Sequence, residues 1–426
     1  LRFIPGILLA AILMAAFALS YHVTDAVLVP PGQGYWHTSG VRIYDANNRE
    51  VHINGVTWYG METNYWVPAG LDYQPWKRIM LEVKDDGFNA IRLPFSNELV
   101  EKNPTISRMV AANPDLVGVH ALDFLDMIVR FAQRIGLKII LDDHRSEAST
   151  PKTVNDLNEG LWYTEAYPDS SWIRDWQFLA RRYKGNDAVI GFDLRNEPHT
   201  AGPGPWDAYT YQYQGATWGP YHGVDNPATD WRLAAERAGN AVLAINPHLL
   251  MFVEGLQLYP DPSKPSGVES YWWGSILRPV RQYPVVFKVP HQLVYSPHDW
   301  GPWKWNMAWF PHMTYESLQK VWTRNWAFIV QDSHASYAAP IWIGEFGTCT
   351  HVPGCITEVK QGNQAQWFQY FVRYLREHPE ISWSFFALNG RNSNDHMANN
   401  GLLGWSWDDL RSVPLEQTLS GIQQGP

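Results

Sequence analysis

Eight short apolar or β-branched runs, most of them followed by a helical pattern, limit this chain to few architectures. They occupy residues 51–60, 89–95, 138–144, 189–196, 249–254, 293–299, 341–346 and 381–388. Between them lie amphipathic stretches: Leu122, Leu125, Ile128, Val129, Ala132 and Ile135 share one helical face. Residues 231–245 give another such face, with Thr229-Asp230 placed to cap it. Strands alternating with helices call for a parallel sheet with crossovers, and eight such units close into a (β/α)8 barrel. The expected fold class is therefore α/β, a (β/α)8 TIM barrel with long loops at its C-terminal face.

At 426 residues the chain is long enough for two or three average domains, or for one barrel with long loops. The connections at 199–229, 256–292, 300–313 and 389–412 account for the excess, and most of them follow strand ends. No Pro/Ser-rich linker, repeat or low-complexity tract appears after residue 34, so one domain over 35–426 is the simplest division. Ahead of it, Leu1-Arg2 precedes an apolar run at 7–19. About thirteen residues is short for a membrane span and fits a signal-peptide core, making 1–20 a signal or anchor and 21–34 a linker. A single Arg2 and the lack of a clean small-x-small site before Tyr21 leave an uncleaved anchor open. The expectation is a secreted protein, extracellular or periplasmic, with no stable membrane partner unless that segment is retained.

Polar residues gather where the apolar runs end. The runs finish at Arg92, at Asp142-Asp143-His144, at Arg195-Asn196-Glu197, at Glu254, at His298-Asp299 and at Glu345. A solvated strand end explains any one of these, but six on one face of one barrel point to a site. Glu197 and Glu345, ending the fourth and seventh strands, would face each other across the mouth. Glycoside cleavage needs one carboxylic acid to protonate the leaving oxygen and one carboxylate to attack the anomeric carbon. Their like charges are expected to raise one pKa, keeping the acid protonated. Arg92 and the histidines would orient the nucleophile.

At this point the chain resembles the cellulases of glycoside hydrolase family 5, barrel glycosidases with catalytic glutamates on strands four and seven. The resemblance rests on Leu-Arg-Asn-Glu-Pro-His at 194–199 and Trp-Ile-Gly-Glu-Phe-Gly at 342–347. Ile-Arg-Leu-Pro at 91–94, Asp-His-Arg at 143–145 and Tyr-Ser-Pro-His at 295–298 add to it. It implies Glu197 as acid/base, Glu345 as nucleophile, and Asn196 as the hydrogen-bond partner of the sugar 2-hydroxyl. It implies Arg92 as support for the nucleophile, and His144 and His298 as histidines binding sugar hydroxyls and fixing the carboxylates. Two positions depart from the pattern: Trp300 stands where the family has Tyr, and Phe386 where it has a sugar-stacking Trp. Trp300 is expected either to stack at the cleavage point or donate to Glu345, or else to turn outward and wall the groove.

The implied activity is retaining hydrolysis of β-1,4-glucosidic bonds in cellulose or related β-glucans. The same chemistry on mixed-linkage glucan, xyloglucan or mannan, or a non-catalytic glycan-binding barrel, are the competing readings. The chain has 23 tryptophans, and flat sugar faces stack on such rings. Trp58, Trp66, Trp162, Trp206, Trp218, Trp272, Trp273, Trp303, Trp305 and Trp309 are candidates for a polysaccharide groove. A net charge of −9 without a basic block argues against a nucleic-acid partner. No metal-ligand spacing and no phosphate loop occur, so neither a metal nor another cofactor is expected. Cys349 and Cys355 either form a local disulfide or remain two thiols, and alone they cannot build a structural zinc site.

Overall fold

Each of the eight runs contains a strand. The computed structural model describes residues 32–150, 159–200, 215–220, 226–261, 263, 268–350, 352–391, 399–408, 410 and 412–424. The strands are β1 (Asn54–Thr57), β2 (Ala90–Ser96), β3 (Lys138–Arg145), β4 (Val189–Asp193) and β5 (Leu250–Val253). β6 comes in two segments, Leu293–Tyr295 and His298–Asp299, followed by β7 (Trp342–Phe346) and β8 (Ser382–Phe385). The residues proposed as a signal segment, most of the linker at 21–34, and Trp206 lie outside the described residues. Among the described residues, no helix is long and apolar enough to cross a membrane.

The hydrogen-bonded order runs from the first segment of β6 through β5, β4, β3, β2, β1, β8 and β7 to the second segment of β6. All of these pairings are parallel. The two ends of the sheet are thus two halves of one strand, and the barrel closes. Ser296 and Pro297 separate the halves, since proline has no N–H for the ladder. The seam is held by Tyr295 N donating to Pro340 O at 3.0 Å and Gly344 N donating to Pro297 O at 3.1 Å.

Helices cover the outside as the sequence patterns require. They are α1 (Trp76–Asp85), α2 (Ala121–Ile135), α3 (Asp169–Arg182), α4 (Trp231–Leu243), α5 (Tyr315–Trp322), α6 (Gln364–Glu377) and α7 (Val413–Ser420). In α2, Leu122, Leu125, Ile128, Val129 and Ala132 are buried, and Gly136 ends the helix in a left-handed turn at φ 76°. In α4, Asp230 is the cap, its Oδ1 accepting from Leu233 N at 3.2 Å; Thr229 instead bonds Thr217. The crossover after β5 has, among its described residues, an antiparallel pair of Leu258–Pro260 with Val268–Ser270 and a 3-10 turn, Arg278–Arg281, as its only helical piece. Cys349 and Cys355 form a disulfide with Cα atoms 5.6 Å apart, which settles the alternative left by the sequence.

Inside the barrel the side chains change character along each strand. Ala90, Ile140, Ile190, Leu250, Phe252, Val294 and Trp342 form a buried apolar cluster at the N-terminal end. Trp36, Ile43, Val51 and Ile53 complete that cluster; Ile43 and Val51 come from a three-stranded antiparallel sheet of His37–Ser39, Arg42–Tyr44 and Glu50–Val51, and Trp36 immediately precedes its first strand. Two residues on, inward positions become polar: Ala90 gives way to Arg92, Ile140 to Asp142, Phe252 to Glu254. The apolar end forms a floor; the polar end is the mouth.

Outside β6, α5 continues through one π-helical turn, Thr323–Ala327, into Phe328–Gln331. That turn directs Trp326 Nε1 onto Asp299 Oδ2 at 3.0 Å, where Tyr271 Oη also donates at 2.9 Å. Burial pushes the Asp299 carboxyl up to about 7, against those two hydrogen bonds. A carboxyl raised in the folded state binds more protons than in the unfolded chain. Its stabilising contribution is complete below the ordinary value of 3.8 and is lost as pH rises through about 7. Asp299→Asn should therefore gain in Tm relative to the unmodified protein as pH rises from about 4 to about 7, then level off. The full span corresponds to on the order of 4 kcal/mol. A pH-independent difference in Tm would show that Asp299 is ionised throughout.

Candidate active site

Arg92 is the centre from which the site is built. It points inward from β2, is fully buried, and reaches five side chains. Nη1 donates to Glu345 Oε1 at 2.6 Å, Nη2 to Asn196 Oδ1 at 2.9 Å, and Nε to Asp193 Oδ2 at 3.0 Å. Nη2 also lies 3.1 Å from Asp142 Oδ1 and 3.5 Å from Glu254 Oε1. A planar fork with five N–H donors can serve partners from several strands at once.

Glu345 lies on β7, buried but for 4%. Glu197 follows β4, where Asn196 N still bonds Asp143 O at 2.9 Å. The next residue leaves the ladder: Glu197 adopts φ 48°, and its N–H donates to Glu254 Oε2 at 2.7 Å. A carboxylate oxygen of Glu197, one of Glu345 and a ring nitrogen of His298 all lie within 4.8 Å of one another. His298 Nδ1 is 2.9 Å from Glu197 Oε1, and the ring's Nε2 is 3.1 Å from Glu254 Oε1 without hydrogen-bond alignment. Gly344 makes room for this ring, because a Cβ there would sit 2.9 Å from His298 Nε2. His144 bonds Asp142 Oδ2 through Nδ1 at 2.7 Å, which leaves Nε2 toward the mouth.

The electrostatics depart from expectation. Burial pushes Glu197 upward, but the His298 hydrogen bond and charge outweigh it and hold the carboxyl below its ordinary value. Burial lowers His298, yet Glu254, Glu345 and Glu197 around it push it well above the usual histidine range. The like charge of Glu345 therefore does not leave Glu197 as the raised member of the pair; the hydrogen bond with His298 lowers it instead. Burial raises Glu254 well above the carboxylate range and takes Asp193 up to about 7 despite Arg92. Asp142 moves down: burial opposes this, but Arg92 and His144 prevail.

The structure thus brings Arg92, His144, Asn196, Glu197, His298 and Glu345 to one mouth. Asp142 and Glu254, which the sequence reading placed among the polar strand ends without a role, and Asp193, which it did not single out, belong to the same network. The signal was there for two of them: Asp142 and Glu254 stand two residues beyond inward Ile140 and Phe252, whereas Asp193 stands three beyond Ile190, where the β3–β4 ladder shifts register. Of the roles expected for Trp300, walling the groove and donating to Glu345 are not what the structure shows. Trp300 is 2% exposed, so it does not wall a groove, and its Nε1 has no hydrogen-bond partner among the described residues, so it does not donate to Glu345. Instead it meets the Phe386 ring edge-on at 5.8 Å, with Lys304 Nζ 4.9 Å from its own ring. Phe386 stacks on Tyr59 at 5.5 Å.

Several tryptophan assignments need correction. Trp58 is fully buried with Nε1 bonded to Ala69 O at 2.9 Å, and Trp162 is equally buried, so both are core residues and not sugar platforms. Trp218 and Trp272 are also buried. Trp66, Trp273, Trp303 and Trp309 are half-buried and Trp305 is exposed, which keeps them as groove candidates. Trp273 stacks on His199 at 3.8 Å, beside the turn that carries Glu197.

This geometry agrees with what known proteins resemble the chain. A family model described as cellulase, glycosyl hydrolase family 5, matches residues 44–392. An endoglucanase of Paenibacillus polymyxa is 37% identical over 377 residues, covering 88% of this chain and 84% of that protein. The major extracellular endoglucanase of Xanthomonas campestris pv. campestris is 30% identical, over 96% of this chain and 76% of its own. The solved structure of a hyperthermophilic endocellulase from Pyrococcus horikoshii aligns with a TM-score of 0.77 at 32% identity, covering 93% of this chain and 100% of that one. With the fold, the strand-end motifs and a family match spanning most of its length in agreement, the chain belongs to the cellulases of glycosyl hydrolase family 5.

Proposed function

We propose that the protein is a retaining endo-β-1,4-glucanase in which Glu345 is the nucleophile and Glu197 the acid/base. The observation that carries this is the carboxylate pair, with oxygens within 4.8 Å and Arg92 on one of them. Retaining glycosidases set their carboxyl groups about 5–5.5 Å apart, whereas inverting ones leave about 6.5–9.5 Å for a water. In the first step Glu345 attacks the anomeric carbon, the bond from that carbon to the leaving oxygen breaks, and Glu197 gives that oxygen a proton. Arg92 engages Oε1 of Glu345, which leaves Oε2 as the attacking atom. The proton comes from the His298–Glu197 hydrogen bond, where a short transfer moves it onto Glu197. Water then attacks the glycosyl-enzyme, with Glu197 as base, and the configuration is retained.

Asn196 is proposed to bind the sugar 2-hydroxyl. Its Oδ1 is already taken by Arg92, so its amide N–H groups are the ones left for substrate. His144, its Nδ1 held by Asp142, offers Nε2 to a second hydroxyl. Phe386 would form the aromatic floor at the cleavage point, propped by Trp300 and Tyr59. Endoglucanase names among relatives at 30% identity or more support β-1,4-glucan as the substrate class. Secretion is proposed on the apolar run at 7–19, the Cys349–Cys355 disulfide and a relative described as extracellular. A single catalytic domain over 35–426 accords with the contact-defined unit Pro31–Pro426.

Glu345→Gln should lower turnover on soluble β-1,4-glucan by at least about a thousandfold while leaving glucan binding within a few-fold. Release of reducing ends at a normal rate by that variant would remove Glu345 from the nucleophile's role. Trp300→Phe keeps a six-membered ring against Phe386 and removes the fused pyrrole ring, whose N–H pairs with nothing among the described residues. Its kcat should stay within about threefold of the unmodified enzyme, under ~0.7 kcal/mol. A tenfold fall, measured on the same glucan, would mean that the indole N–H finds an acceptor once substrate is bound.

A further inference from the structure

We propose that Glu254 is a positioning residue for the acid/base: its carboxyl group locks Glu197 in a left-handed backbone conformation and stations His298 against it. The proposal rests on the assignment of Glu197 made above. Glu254 directly follows β5 and is fully buried. Its Oε2 accepts the Glu197 N–H at 2.7 Å, while Oε1 lies 3.1 Å from His298 Nε2 and 3.5 Å from Arg92 Nη2. One carboxyl group therefore meets the backbone of the acid/base on one side and its hydrogen-bond partner on the other.

Two further features are accounted for by this role. Glutamate rarely takes a positive φ, and a residue held there needs surroundings that over-determine it. At Glu197 the turn is held from the amide side by Glu254, and without that acceptor a buried N–H would be left unpaired. Second, Gly274, at φ 70°, lies against the same carboxyl group: a Cβ there would collide with Glu254 Oε2 and would sit 3.5 Å from Glu197 Cα. Glycine at 274 leaves the space that the carboxyl group fills. The backbone of Glu254 is itself fixed, since Trp231 Nε1 donates to its carbonyl at 2.9 Å and Gly255 N donates to Gly274 O at 2.6 Å.

The charged and titratable groups facing Glu254 are Arg92 from β2, Asp193 from β4, Glu197 beyond β4, and His298 from β6. Burial raises the Glu254 carboxyl against the pull of His298 and Arg92, and glutamine matches its shape while keeping one oxygen to accept the Glu197 N–H. If Glu254 acts through Glu197, its loss must impair steps that need proton transfer and spare those that do not. Departure of dinitrophenolate needs no proton, and azide attacks a glycosyl-enzyme without a base.

The test uses the full chain with soluble β-1,4-glucan and with dinitrophenyl β-cellobioside. Activity of the unmodified enzyme on both establishes the parent reading; inactivity on both would overturn that reading first. Glu254→Gln should stay within about fivefold of the unmodified enzyme on both substrates. Glu254→Leu should lose about a hundredfold or more in kcat on glucan with KM within threefold, as expected for lost acid/base catalysis. Its pre-steady-state burst of dinitrophenolate should fall less than tenfold, and azide should accelerate its turnover. Should Glu254→Leu not fold, Glu254→Asp replaces it, because one methylene fewer withdraws the acceptor from Glu197. Equal losses on both substrates, no response to azide, or unchanged glucan turnover would each overturn the proposal.

Discussion

One guanidinium group, removed from water, holds the mouth of this barrel together. Arg92 places a fixed positive charge among Asp142, Asp193, Glu254 and Glu345, carboxyl groups contributed by four different strands. It offsets the repulsion of carboxyl groups held this close in a poorly polarisable interior, and even so burial raises Glu254 and Asp193. Removing one partner from a buried ion pair typically costs about 3–5 kcal/mol, because the remaining charge is left uncompensated. The arginine also fixes directions, because its donors lie in one plane at set angles. Glu345, the Asn196 amide and the neighbouring carboxyl groups therefore share a single reference point, and their mutual distances depend on it.

Net charge within this cluster is settled by proton sharing as well as by Arg92. His298 faces three carboxyl groups and sits above its ordinary range, while Glu197, bonded to it, sits below. The sequence-based expectation placed the extra proton on a glutamate because it counted two carboxylates and left the imidazole out of the balance. A histidine between two acids changes the outcome: the cation is stabilised by every neighbour, whereas each carboxylate is stabilised by only some.

How much was legible in the sequence follows from this distinction between local and distant causes. The strands and helices were readable because their signals are periodic and short-ranged, as in the face of α2 and the Asp230 cap of α4. Glu197, Glu345, Arg92 and Asn196 were readable because motif and strand end coincide. Asp193 and Glu254 were not assigned, since their role depends on which strands become neighbours. The tryptophans misled for a related reason. Trp58 and Trp162 look the same in sequence as Trp305, and only packing separates a 0% exposed ring from a 60% exposed one. Trp300 shows the limit most plainly: its neighbours Phe386 and Gly347 are brought to it by β7 and β8, far along the chain.

The break in β6 at Ser296–Pro297 has an effect beyond closing the sheet. Below it, Leu293–Tyr295 pairs with β5; above it, His298–Asp299 pairs with β7, and His298 stands level with Glu345. The two halves take their alignment from different neighbours. Tyr295 and Pro297 bridge the step to the β7 side, but the ring of Pro297 supplies no N–H to carry one ladder straight through. His298 therefore takes its height from β7, the same strand that carries Glu345, and the imidazole and that carboxyl group are aligned by a single ladder.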